Sequence, residues 1–197
     1  LGESGKEAVE SLVNVLREDE VGDVRRESVK ALGNIGAPAS CRAVALVDAL
    51  RSDEDFGVRA AAAKALGRFG KAASTCVAAL ADQLVTEKLV FVQVIIAQVL
   101  GQLGEVAGPA VDNLAETLRH GATHPLRECA AAALGESGAA GRAAAVCLGD
   151  AVLQDHIEVS EAASKALAKL DVHAAPVLQL LADALQEQDW DARRRSA

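Results

Sequence analysis

The sequence predicts an all-α solenoid: one array of about six two-helix units running through residues 1–197, with a period of about 34 residues. Two columns and the composition predict it. A Leu-Gly pair recurs at Leu32-Gly33, Leu66-Gly67, Leu100-Gly101 and Leu134-Gly135, is degenerate at Leu167-Ala168, and is present again at Leu1-Gly2. A leucine upstream of each pair recurs without exception at Leu12, Leu46, Leu80, Leu114, Leu148 and Leu181. Hydrophobic residues make up 51% of the chain but aromatic ones only 2%, so alanine and leucine must fill the core, as close-packed helices require.

The clearest unit is Asp53–Gly70. Asp55 can cap a helix start, because its carboxylate can accept from an orphan amide of the first turn. Val58, Ala62, Ala65, Leu66 and Phe69 recur at helical spacing and make one apolar face. Gly70 suits the left-handed residue just past the end. A face this rich in alanine buries little area by itself, so the helix needs copies of itself as neighbours.

Taken in order, residues 1–5 read as the tail of a preceding helix. Lys6–Leu16 and Val24–Ile35 form the first full pair, and Cys41–Leu50 and Phe56–Phe69 the second. Ser74–Val85 pairs with Leu89–Leu103, and Pro109–Arg119 with Pro125–Ser137, the prolines standing at helix starts where a missing amide costs nothing. Arg142–Leu153 pairs with Glu158–Leu170, and Pro176–Gln186 opens a sixth unit. Arrays normally end in units with a polar outer face. Neither end reads that way, so the expectation is a segment of a longer array, cut inside a repeat at both ends.

The net charge of −8 argues against a general nucleic-acid binder, whose affinity rests on basic side chains. The most apolar run, Leu89–Leu103, is interrupted by Gln93, Gln98, Gly101 and Gln102 and falls short of a bilayer span, so no direct membrane insertion is expected. Cys41, Cys76, Cys129 and Cys147 include no C-x-x-C pair and read as small apolar fillers, which places the chain in an intracellular, reducing compartment such as the cytoplasm or an organelle stroma. His120 and His124 flank a turn rather than share one helix face, which is poor metal geometry. No phosphate-cradling loop or nucleophile–base set is visible, and no cofactor is expected.

Two antiparallel helices per unit, a V-R opening to the second helix (Val24-Arg25, Val58-Arg59) and an A-L-G-x-x-G close (Ala65 to Gly70) resemble HEAT-like repeats, specifically the short type named after phycobilisome lyases. The resemblance covers essentially the whole chain, although Ala168 and Asp171 replace both glycines of the last close. It implies a right-handed superhelix whose second helices line the concave face. It also implies a non-catalytic protein-binding scaffold or a subunit of a larger assembly, or alternatively a bilin lyase or chromophore-handling protein. No His-Glu dipeptide occurs, unlike the di-iron hydroxylases built on similar repeats.

Three sets of residues are candidates for surface chemistry. The first is the column Arg25, Arg59, Gln93, Arg127, Ser160 and Arg193. It is either a ladder gripping an acidic partner or, as the family resemblance favours, a structural tie to the acid six residues earlier: Asp19 before Arg25, Asp53 before Arg59. The second is Asn14, Asp48, Asp82, Glu116, Asp150 and Asp183, two residues from core leucines and therefore an outward-facing acidic stripe. The third is Val90 and Val94, one helical turn apart. Val94 is apolar where the other repeats carry Arg26, Ala60, Glu128, Glu161 and Arg194. With Arg59 and Arg127 beside them, these valines are expected to make an apolar centre with a charged rim.

Overall fold

The computed structural model describes residues 3–36 and 42–170, and all of its regular structure is helical. Five helix pairs stack in chain order: α1 (Glu3–Glu18) with α2 (Gly22–Ile35), α3 (Ala43–Ser52) with α4 (Phe56–Arg68), α5 (Val77–Thr86) with α6 (Val90–Leu103), α7 (Val111–His120) with α8 (His124–Glu136), and α9 (Ala145–Gln154) with α10 (Ile157–Lys169). This is an all-α solenoid with one continuous core. The sixth unit, with Arg193 and Asp183, lies outside the described residues.

The sequence dictates each unit locally. Asp55 caps α4 through Oδ1, which accepts from the Gly57 amide at 2.6 Å and the Val58 amide at 3.3 Å. The leucine column is the spine of the core: Leu46, Leu80, Leu114 and Leu148 are each no more than 1% exposed. Burying one such side chain contributes roughly 1.5–3 kcal/mol. Gly36, Gly70, Gly104 and Gly138 adopt positive φ of 55° to 73°, where a Cβ would strain the backbone. Their spacing of 34 residues sets the period of the array.

Some boundaries differ from the sequence expectation. Glu3–Gly5 belong to α1 rather than to a preceding helix. The first helices of the third to fifth units start later than expected, because 3-10 segments Gly70–Cys76, Gly104–Ala110 and Gly138–Ala144 precede them. Pro109 therefore sits inside a 3-10 segment, whereas Pro125 does occupy the first turn of α8. The stretch Val90–His120 contains an 18-residue window of mean hydropathy 1.6 but is not one straight helix. The chain turns at Gly104, and α6 is only 14 residues long, short of the ~20 needed to cross a bilayer.

The Leu-Gly pairs do more than stop helices. A Cβ added at Gly33 would lie 2.9 Å from the Ala65 Cα, and one at Gly135 2.7 Å from the Ala166 Cα. Glycine facing alanine lets successive second helices approach almost backbone to backbone. Contacts between successive second helices are accordingly far more extensive than those between successive first helices. Tight packing on one side and open packing on the other bends the stack, with the second helices on the inner side.

Candidate partner-binding face

The arginine column lies where the acidic turns enter the second helices. Arg25 is 8% exposed. Its Nε donates to Asp53 Oδ2 at 2.9 Å and its Nη2 to Asp53 Oδ1 at 2.7 Å, while Nη1 donates to the carbonyls of Asp19 and Glu20 at 3.0 and 3.1 Å. Arg59 repeats the arrangement one unit on, reaching Glu87 at 2.8 and 3.0 Å and the Asp53 carbonyl at 2.9 Å. Arg127 does so again, with both Asp155 oxygens at 2.7 Å and the Gly121 carbonyl at 2.8 Å.

The expected tie to the acid six residues earlier is therefore corrected. That residue supplies its backbone carbonyl, and the carboxylate comes from the next repeat, 28 residues later. Each guanidinium fork thus closes its own turn and staples it to the following one. At the third unit Gln93 stands in the column, and its Nε2 donates to the Leu84 carbonyl at 3.0 Å instead.

The electrostatics of the staples are mutual. The carboxylates, through hydrogen bonds first and charge second, hold the Arg25, Arg59 and Arg127 guanidiniums above their usual range against the opposing effect of burial. Burial alone would push the Glu87 carboxyl up. Hydrogen bonds from Arg59, the Leu89 amide and Gln83 outweigh it and leave Glu87 below the usual carboxylate range. Asp155 is lowered mainly by Arg127.

Val90 and Val94 are half-buried and pack against the core. The five residues Arg25, Arg59, Val90, Val94 and Arg127 thus do not assemble into an apolar centre with a free charged rim. The arginine forks are occupied, and the valines are partly covered. The exposed apolar group of α6 is Phe91, 61% exposed, in edge-to-face contact with Phe56 at 6.5 Å between ring centroids. The acidic stripe behaves as expected. Asn14, Asp48, Asp82 and Glu116 are exposed on the first helices, Asp150 is half-exposed, and Asp82 pairs with Arg51 at 3.3 Å.

Two open clefts lie between successive second helices. One, of about 360 Å3, spans α2, α4 and α6 and is lined by Arg26, Lys30, Lys64, Arg68, small residues of α4, Phe91 and Ile95. The other, of about 350 Å3, lies between α8 and α10 and is lined by Glu128, Glu136, Glu158 and Glu161 with Lys165 and Lys169. Lys64, Arg68 and Phe91 are repeat positions of the second helices, and only the folded stack shows that they border one cleft.

Among the described residues no cluster of histidine, cysteine and acidic side chains is arranged to hold a metal ion. His124 stacks on His156 at 4.4 Å between ring centroids, and its Nδ1 lies 2.7 Å from Arg127 Nη2, so it supports a staple. Cys76 and Cys147 are buried and Cys129 partly so. Burial raises the Cys129 and Cys147 thiols, which keeps them protonated and unreactive.

Stacked helix pairs, close second-helix packing and staples between turns define an α-solenoid of helical repeats. The comparison with known families is more specific. The family model for HEAT repeats matches residues 43–135, and that for the PBS lyase HEAT-like repeat matches residues 24–51. The chain is a HEAT-like repeat protein. No curated protein matches it.

Proposed function

We propose that this chain is a non-catalytic scaffold that holds another protein against the inner face formed by its second helices. The observation that carries this reading is the division of labour on the surface. The conspicuous charged column is consumed in staples, whereas the second-helix face carries open clefts and Phe91, 61% exposed and in edge contact with Phe56. HEAT repeats commonly mediate contacts between proteins, and an apolar centre with a polar surround is the make-up of such contacts. The match to the lyase-named repeat concerns the repeat unit and supports this reading as well as any other. On the composition argument above, we place the protein in a reducing intracellular compartment.

The test is capture with the chain as bait, with a photo-crosslinker at Lys64 in one experiment and at Asp48 on the outer face in another. The expected result is a discrete protein adduct from the inner position alone. Adducts only from Asp48, or no adduct together with turnover of a small molecule, would overturn the reading.

A further inference from the structure

We propose that the cleft across α2, α4 and α6 docks an acidic segment of a partner protein, one large apolar side chain seated against Phe91 and its neighbouring carboxylates held by Lys64 and Arg68. This inference rests on the scaffold reading and names the chemistry of the partner.

Charge complementarity carries it. The protein bears a net charge of −8, yet this cleft is rimmed by cations. On α2, Arg26 is neutralised by Asp23 at 2.7 Å and Lys30 by Glu27 at 2.6 Å. On α4 the situation differs. Among the described residues Lys64 pairs with no carboxylate, and Arg68 donates only to the neutral Asn34 amide oxygen. Two cations without counterions therefore stand over a floor of buried alanines, Ala60, Ala61 and Ala65. Phe91, from the next second helix, closes one side. An apolar floor with a cationic edge fits a segment that alternates a bulky apolar residue with Asp or Glu.

The rest of the face narrows the choice. The repeat position that is Arg26 in the first unit becomes Ala60, Val94, Glu128 and Glu161 in the following ones. The face thus runs from basic through apolar to acidic along the array. Beyond the cationic patch a polyanion such as a nucleic acid, or an anionic membrane surface, would meet no further cluster of unpaired cations among the described residues of this face: Lys165 and Lys169 are taken up by Glu161 and Glu136, and Glu128 and Glu158 add negative charge. A short acidic segment need cover only the α4–α6 portion.

The experiment is a selection of random twelve-residue peptides displayed on phage against the full chain, followed by fluorescence anisotropy with the recovered peptides. The expected peptides are enriched in Asp and Glu around one or two large apolar residues. Their Kd should rise at least tenfold in Lys64→Glu/Arg68→Glu and in Phe91→Ala, and should rise with salt. An excess of inorganic phosphate should not displace them. Peptides without acidic enrichment, binding indifferent to both variants, or no recovered binder would each overturn the inference. So would preferential binding to phosphatidylserine vesicles, or self-association in sedimentation velocity that is lost in Lys64→Glu/Arg68→Glu. A discrete adduct from Lys64 in the capture experiment with a negative peptide result would leave the scaffold reading standing and remove only this one.

Discussion

Arg59 and Glu87 face each other across 28 residues of sequence, with Nε and Nη2 donating to the two carboxylate oxygens at 2.8 and 3.0 Å. Their side chains are 14% and 3% exposed. Removing one partner of a pair this sheltered strands the other charge, at a cost of about 3 kcal/mol or more. Glu87→Ala is therefore expected to lower the urea midpoint strongly. Asp82→Ala, which breaks an exposed pair with Arg51, should cost less than about 1 kcal/mol. Urea unfolding followed by circular dichroism measures both, and equal shifts would mean that the staple contributes no more than a surface ion pair.

Acid should loosen the same contacts. The Glu87 and Asp155 carboxyls lie below their ordinary range when folded and return to it when unfolded. A group lowered in this way contributes stability that is complete above the unfolded value of about 4 and is lost as pH falls through the folded value. Unfolding midpoints should hold above about pH 5 and decline below about pH 4. Glu87→Gln/Asp155→Asn should start from a lower plateau and decline less steeply. An acid limb of unchanged slope would assign the decline to other carboxylates.

At Gly135, α8 packs closely against α10. Alanine there would place its Cβ 2.7 Å from the Ala166 Cα, a backbone atom that no rotamer change can move. Gly135→Ala should force the two helices apart at a cost of about 1–3 kcal/mol. At Gly70, φ is 55° and the space around an added Cβ is empty, so Gly70→Ala should cost only the left-handed strain of about 1–2 kcal/mol. Thermal unfolding of both separates crowding from strain. A parental melting temperature for Gly135→Ala would show that the contact opens without cost.

Val94 and Phe91 invert the expectation from sequence. Val94 is partly covered by the core, so Val94→Glu buries a carboxylate in part and should cost about 1–3 kcal/mol. Phe91 is 61% exposed, and Phe91→Glu should stay within about 1 kcal/mol of the parent. Denaturation of the two variants decides this. Greater loss in Phe91→Glu would place the aromatic pair, not Val94, in the core.

The helix pairs, the apolar face of α4, the Asp55 cap and the Gly70 stop were all legible, because each rests on contacts within one unit or on the repeat itself. The partner of the arginine column was not, because it lies in the neighbouring unit. The sequence held the clue nonetheless. Gly121 stands six residues before Arg127, where the local tie needs an acid, and Arg127 is kept. Gly121 stands 28 residues after Gln93, where the arginine is lost. Acid and arginine disappear together only in the longer register. The helix starts at Val77, Val111 and Ala145 escaped because a 3-10 segment and an α-helix share the same apolar residues over one turn.

That missing staple divides the array mechanically. The first three units are latched to one another by Arg25 and Arg59, and the fourth to the fifth by Arg127. Between the third and fourth, no such latch occurs among the described residues, and one neutral hydrogen bond among them joins the first helices, from Asn113 Nδ2 to the Ala81 carbonyl at 3.0 Å. On the inner side, α6 and α8 still press together at Gly101 and Ala133. On the outer side, α5 packs against α7 and against the 3-10 segment Gly104–Ala110. The guanidinium latches thus fall into two blocks, units one to three and units four to five, and the seam between the blocks is held by helix packing and, between the first helices, by that one amide.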